Sequence, residues 1–299
     1  MKKYLVLDIG GTTIKYALMN CKAEILQKNE IPTPLDCLDD LVKTITQLYE
    51  EGKNNISGIA ISMPGIIEPQ TGFCYTGGAL KYIKNINLAH ILEKHLSVPV
   101  SIGNDAKCAA NAEIGFGNLK DVDDAVVIIL GTAIGGCLVK DHKVIYGKNL
   151  MAGEFSFIQV NGLESHFDFS NTWANYNGVQ ALLNIVQNTL ETNKIYSGKE
   201  IFEMANNGNK KVLEAIRIFA RRIAFQILNL QAIFDPERFV IGGGISAQSL
   251  LIEMINSEIE LLIEQCPVYF PVPHIKPCKY RNDSNLIGAL YQHIIKFNE

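Results

Sequence analysis

The hexapeptide Asp8-Ile9-Gly10-Gly11-Thr12-Thr13 joins two apolar runs, Tyr4 to Ile9 and Ile14 to Met19. Glycines at such a junction let the backbone fold tightly and leave amide N–H groups to face an anion. The aspartate can hold Mg2+ through water, the threonine hydroxyls can donate to phosphate oxygens, and Lys15 adds a positive charge nearby. The segment suits a polyphosphate, although a plain β-hairpin has the same composition and the spacing matches neither a Walker loop nor a dinucleotide fingerprint. Gly131-Thr132-Ala133-Ile134-Gly135-Gly136 repeats this chemistry between the runs Ala125 to Leu130 and Cys137 to Lys140, so two turns at equivalent points could share one ligand.

Three other places carry chemistry. Gly242-Gly243-Gly244, after a predicted strand and before a helix, lets backbone approach a flat group such as adenine, or lets the helix pack closely. Asn104-Asp105 sits where a short strand meets a helix, the end of a sheet at which open α/β folds place ligands. Asp105 there is either a helix cap or a general base accepting a proton from a substrate hydroxyl, with Asn104 holding a neighbouring hydroxyl. Glu154 is a lone acid in an apolar stretch, solvated or hydroxyl-binding. His90, His95, His142, His166, His274 and His293 have no metal-ligand spacing, and Arg217, Arg221 and Arg222 read as the solvated or ion-paired face of a long helix.

The elements that must position these residues follow from hydrophobic period. Strands are expected at Tyr4 to Ile9, Ile14 to Met19 and Ala23 to Glu30, and a helix through Leu38, Leu41, Val42, Ile45, Leu48 and Tyr49. Ile56 to Ile61, a helix near Leu88 to His95, the strand Val100 to Ile102 and a helix through Glu113 complete a mixed sheet covered by helices. The second half adds a long helix from Asn209 to Phe234 stopped by Asp235-Pro236, a strand Phe239 to Ile241, a helix from Ser246 onward and a last helix from Asn285 to Phe297.

Composition narrows the classes. The chain has 299 residues, 47% of them apolar and 19% charged, enough for about two domains with real cores and against disorder. With 27 basic and 31 acidic side chains the net charge is −4, so nothing global attracts a nucleic acid. The longest apolar run, Ala125 to Val139, is broken by three glycines and falls short of a membrane span. Asp8 interrupts the only N-terminal stretch resembling a secretory signal, so the expected location is cytoplasmic. Seven scattered cysteines without a Cys-x-x-Cys pair read as reduced thiols.

Taken in order, the Asp8 to Thr13 turn, Met63-Pro64-Gly65, Gly103-Asn104-Asp105-Ala106, the Leu130 to Gly136 turn, Ala152-Gly153-Glu154 and Val240 to Ile245 resemble the ROK family of repressors, open reading frames and sugar kinases over essentially the whole chain. The resemblance implies an α/β, two-domain actin-like ATPase (ribonuclease H-like) fold with a cleft between domains. Residues 1–118 with 285–299 would form the sugar and phosphate side, and 119–284 the nucleotide side. ATP would lie against both turns and Gly243-Gly244, with Mg2+ reached from Asp8 through water. A glucosyl sugar would sit by Gly65, Gly78, Asn104, Asp105 and Glu154, with Asp105 as catalytic base. A homodimer is the family's usual state.

One departure bears on substrate. Many ROK members carry Gly-Glu-x-Gly-His followed by a cysteine-rich zinc loop, whereas this chain reads Gly153-Glu154-Phe155-Ser156-Phe157 and has no cysteine between Cys137 and Cys266. No zinc is therefore expected. Phe157 stands in place of the histidine and Trp173 about where a sugar-binding glutamate would be, and the family's β-glucoside kinases are similar in lacking the zinc loop. These aromatics either meet a β-glucoside such as cellobiose or fill the space of the missing loop. A glucokinase or N-acyl-hexosamine kinase is the alternative acceptor class, and a sugar-responsive regulator without kinase activity is the other kind of function. A repressor needs a helix-turn-helix ahead of the first strand, and that strand is expected to begin at Tyr4.

Overall fold

A computed structural model describes residues 2–52, 56–161 and 167–298. The chain divides into two compact units, one of residues 1–120, 147–150 and 282–299, the other of residues 121–146 and 151–281.

The first unit opens with β1 (Lys3–Ile9), β2 (Thr13–Asn20) and β3 (Ile25–Pro32), then α1 (Leu38–Glu50) and β4 (Ile56–Met63). Three short strands follow, β5 (Ile67–Glu68), β6 (Phe73–Thr76) and β7 (Lys84–Asn87), then α2 (Leu88–Glu93), β8 (Val100–Asn104) and α3 (Asp105–Phe116). The main sheet runs β3-β2-β1-β4-β8, antiparallel through the hairpin strands and parallel from β1 to β8. Tyr4, Leu5, Val6 and Leu7 are all buried because helices cover both faces of β1, which is why that strand reads as a continuous apolar run. Leu41, Val42, Ile45 and Leu48 of α1 pack against one face. On the other, His293 of the C-terminal helix (Ser284–Phe297) meets the Tyr4 ring edge-on and bonds Ser101 of β8 at 2.9 Å. The edge strand β3 is exposed along nearly its whole length and carries Gln27-Lys28-Asn29-Glu30, polar residues that discourage edge pairing. It starts at Ile25 and not at Ala23, whose φ of 61° places it in the turn. The three-stranded sheet β5-β6-β7 is absent from the sequence expectation.

The second unit repeats this plan. It comprises β9 (Ala125–Leu130), β10 (Ile134–Lys140), β11 (Lys143–Ile145), α4 (Trp173–Asn177), α5 (Val179–Leu190), α6 (Gly198–Asn206), α7 (Lys210–Phe234), β12 (Arg238–Gly242), α8 (Ser249–Glu264) and β13 (Ile275–Pro277). Its sheet order, β11-β10-β9-β12-β13, matches the first in kind: a hairpin whose first strand pairs in parallel with a later one. The expected echo between the two halves is therefore a repeat of whole-sheet topology. Asn209 caps α7 by accepting from the Val212 N–H, and Asp235 in the left-handed region ends it ahead of Pro236. Arg217 and Arg221 of α7 both bond the buried Glu258 of α8, at 2.6 and 2.5 Å, so this face is ion-paired. Burial pushes the Glu258 carboxyl up, but its two arginines hold it below the usual range. The helix expected from Ser246 begins at Ser249, because Gly244–Ala247 form a 3-10 turn first.

Candidate functional site

In the first unit the β1–β2 turn has its Gly10 and Thr12 carbonyls taken, while two of its amides are left open among the described residues. The Gly10 N–H donates to the Thr13 carbonyl at 3.0 Å. Thr33, from the end of β3, donates its hydroxyl to the Gly10 carbonyl at 2.8 Å and its N–H to the Thr12 carbonyl at 3.0 Å. The N–H groups of Gly11 and Thr12 have no acceptor among the described residues, and Thr12 is exposed. Consecutive outward amides of this kind are a nest for an anion. Nothing in the sequence pointed to Thr33, which lies beyond the third strand.

Asp8 closes β1 directly ahead of that turn and stands in register with Lys15 across the hairpin. Burial raises its carboxyl above the usual range, although bonds from Asn285 and Ser62 and the charge of Lys15 act the other way. A half-buried carboxylate with neutral donors and no ion pair among the described residues fits the water shell of a divalent cation, which would supply the missing positive charge. Among the described residues no group of three His, Cys, Asp or Glu side chains could hold a metal directly. His166 lies outside the described residues.

At the end of β8, Asn104 and not Asp105 is the helix cap. Its Oδ1 accepts from the Lys107 N–H at 3.1 Å, and its Nδ2 donates to the Gly65 carbonyl at 3.0 Å. Asp105 becomes the first residue of α3, half-exposed, its Oδ1 accepting from the Ala106 N–H at 2.8 Å. Gly65 has φ 122°, and a Cβ there would lie 2.1 Å from the Thr76 carbonyl oxygen, so only glycine brings these loops together. A Cβ on Gly78 would meet Pro64 at 2.8 Å, and one on Gly11 would meet Ala79 at 3.0 Å. Gly11, Pro64-Gly65, Gly78-Ala79 and Asn104-Asp105 are thus linked by close contacts within one unit, as a site at the carboxyl ends of parallel strands requires. The structure therefore gives Asn104 the capping task that the sequence left open for Asp105.

The second unit holds a matching turn, shorter than expected. β10 starts at Ile134, so Gly135 and Gly136 are strand residues and the turn is Gly131-Thr132-Ala133. A Cβ on Gly136 would lie 2.1 Å from the Phe155 ring, so this glycine serves packing. The Gly131 N–H donates to the Ala133 carbonyl at 3.0 Å, leaving the exposed N–H groups of Thr132 and Ala133 without an acceptor among the described residues. Gly243, with φ 96°, abuts the Leu130 carbonyl at the end of β9, whereas a Cβ on Gly244 would meet nothing. Gly178, ahead of α5, lies against the Thr132 carbonyl and was missed because a single glycine between two helices carries no distinctive spacing.

Glu154 precedes a 3-10 turn, Phe155–Phe157, which Ser156 anchors to β10 by donating to the Ile134 carbonyl at 2.8 Å. The two aromatics weighed as sugar contacts divide sharply. Phe157 is 45% exposed and packs edge-on with Phe169, itself edge-on to Phe167; both partners are more exposed still. Trp173 is fully buried, its ring 5.6 Å from Phe155 and its Nε1–H donating to Asn177 Oδ1 at 3.0 Å. A side chain enclosed in the core cannot offer a face to a sugar, so the expectation of contact at Trp173 is corrected to a core role.

No helix among the described residues is long and apolar enough to cross a membrane. A family model described as the ROK family matches residues 4–294. The β-glucoside kinase of Listeria monocytogenes is 27% identical over 307 residues, 99% of each chain, and the glucokinase of Halalkalibacterium halodurans 29% identical over 282 residues, 86% of this chain and 85% of that one. Among solved structures, a ROK family protein from Streptococcus pneumoniae in complex with sucrose superposes with a TM-score of 0.89 at 28% identity over 99% of each chain. A glucokinase from Streptomyces griseus matches with a TM-score of 0.81 at 23% identity, covering 96% of this chain and 98% of its own, a likeness of fold. The architecture is the actin-like ATPase fold, and with a family match running from residue 4 to residue 294 the chain belongs to the ROK family.

Proposed function

We propose that this protein is an ATP- and Mg2+-dependent sugar kinase that phosphorylates the 6-hydroxyl of a glucosyl unit, with a β-glucoside such as cellobiose as preferred acceptor. The observation that carries the reading is the division of labour at the end of β8. Asn104 caps α3, and Asp105, the first residue of that helix and half-exposed, stands at the carboxyl end of β8 next to the residue that holds the Gly65 loop. Asp105 takes the hydroxyl proton while the sugar oxygen attacks the γ-phosphorus. The bond from that phosphorus to the β,γ-bridging oxygen breaks, and ADP leaves. In the first unit the amides of Gly11 and Thr12, open among the described residues, bind phosphate oxygens, in the second those of Thr132 and Ala133 offer the same chemistry, and Asp8 would hold Mg2+ through water. The first unit would then carry acceptor and phosphate, the second the nucleotide.

The β-glucoside preference is supported by the exposed ring of Phe157, three residues beyond Glu154, and by the named relatives. An aromatic face suits the apolar side of a second sugar ring or aglycone and offers no partner to a free anomeric hydroxyl. An ADP-release assay with ATP and Mg2+ across cellobiose, gentiobiose, glucose, N-acetylglucosamine and N-acetylmannosamine tests both levels. Turnover fastest on the disaccharides supports the full reading. Turnover confined to a free hexose or hexosamine moves the acceptor to that class, and no turnover on any sugar overturns the kinase.

A further inference from the structure

Among the described residues, one oxygen of the Asp8 carboxylate is engaged. Asn285 Nδ2 donates to Oδ1 at 3.0 Å, and the Ser62 hydroxyl lies 3.3 Å from the same Oδ1. Oδ2 has no hydrogen-bond or ion-pair partner among the described residues, and Lys15, its ladder neighbour, makes no ion pair with it. The two donors come from distant parts of the chain: Ser62 is fully buried in β4, and Asn285 is the second residue of the C-terminal helix, 277 positions from Asp8. Both are neutral. An arginine or lysine in either place would hold the carboxylate equally well but would cancel its charge. An amide and a hydroxyl on one oxygen fix the rotamer and leave the negative charge whole. That choice is wasteful for a merely structural aspartate and suited to one that must attract a cation.

We infer that Ser62 and Asn285 are positioning residues for the metal: they clamp Asp8 by Oδ1 and so reserve Oδ2 for a water of the Mg2+ that accompanies the nucleotide. Partners of this kind set the orientation of a metal's carboxylate, and their loss typically costs about 10- to 100-fold in metal affinity. The inference rests on the ATP reading above and deepens it. It also gives the C-terminal helix, remote in sequence from every motif, a direct part in the phosphate site.

The test uses Mn2+ as the probe. Free Mn2+ is measured by electron paramagnetic resonance in the presence of ADP for the wild type, Ser62→Ala and Asn285→Leu, alongside calorimetric ADP binding without metal and the melting temperature. The expected result is an Mn2+ dissociation constant raised about 10-fold in each variant, with metal-free ADP affinity unchanged. Unchanged Mn2+ affinity in both variants overturns the inference, as does an equal loss of metal-free ADP affinity, which would mark general damage to the turn. Should Asn285→Leu fail to fold, Ser62→Ala decides alone, since it removes a single buried oxygen. A wild type that binds ADP in neither condition overturns the nucleotide reading instead, so the two failures are distinguishable.

Discussion

Asn104 donates its side-chain amide to the Gly65 carbonyl at 3.0 Å while its other end caps α3. One residue thereby ties the loop after β4 to the start of the helix that carries Asp105, the base of the proposed reaction. Asp105→Asn should accordingly lower turnover by about 10² to 10⁴, the usual share of a general base, with sugar affinity retained. The melting temperature should hardly change, since the cap is intact. Asn104→Ala should do the reverse to stability, costing about 1 kcal/mol for the lost cap and loosening the loop. Kinetics and thermal melts of both variants check this; an Asp105→Asn enzyme with near-normal turnover removes Asp105 from the chemistry.

The glycines divide into those whose replacement the fold forbids and those at which it leaves room for a side chain. A Cβ on Gly131 would meet only the Ala133 carbonyl oxygen, at 3.6 Å, an ordinary contact. Gly131→Ala should therefore fold and melt like the wild type, yet raise the KM for ATP more than that for sugar, because the added methyl stands beside the open amides of Thr132 and Ala133. Gly243→Ala would drive a Cβ to 2.1 Å from the Leu130 carbonyl at a φ of 96°, so it should lose stability before any binding effect is seen. Equal ATP affinity in Gly131→Ala and wild type would reduce the turn to a plain hairpin.

Both hairpins and the long helix were legible because their signals are local. Apolar runs flank Gly10-Gly11 and Gly131, and Asn209 and Asp235-Pro236 bracket α7. The sheet β5-β6-β7 was not, since Ile67–Glu68, Phe73–Thr76 and Lys84–Asn87 are too short to show alternation. The assignment of Asp105 was open in sequence because Asn and Asp are almost equally good caps, and only the φ/ψ at the strand end chooses between them. The clamp on Asp8 joins positions 62 and 285, a relation no window of sequence contains. Trp173 failed for a different reason: being aromatic is compatible with a platform and with a core, and burial alone separates them.

A pH effect follows from the first residue of the second unit. Asp121 receives Arg238 at 2.6 Å and 3.1 Å, a two-pronged pair that lowers its pKa to about 2. The folded value lies below the unfolded one, so the pair's stabilisation is complete above about pH 4 and is lost as pH falls toward 2. Its size is small because the Asp121 side chain is 68% exposed and salt screens it. Urea unfolding between pH 6 and pH 3 should show a shallower loss of stability for Asp121→Asn than for the wild type, the difference shrinking in high salt. Parallel profiles for the two proteins would mean that the pair contributes nothing.

The substrate assignment turns on Phe157 and Trp173, which differ in accessibility and so in what their removal should do. Trp173→Ala empties a fully enclosed site against Phe155 and strands the Asn177 amide oxygen, so it should cost about 3–5 kcal/mol and lower the melting temperature steeply. Any change in its sugar preference would be secondary to that damage. Phe157→Ala removes a ring that is 45% exposed and touches Phe169 only by its edge, so stability should hold. If the ring supports the second sugar of a β-glucoside, kcat/KM for cellobiose should fall about 5- to 30-fold, the worth of roughly 1–2 kcal/mol of apolar contact. The value for glucose should stay constant, because a monosaccharide does not reach beyond its anomeric carbon. The ratio of the two kcat/KM values in wild type and Phe157→Ala is the measurement. A ratio that does not move leaves the aromatic cluster of Phe157, Phe167 and Phe169 without a part in acceptor choice, and a wild type that prefers free glucose turns the enzyme into a glucokinase whatever the ring does.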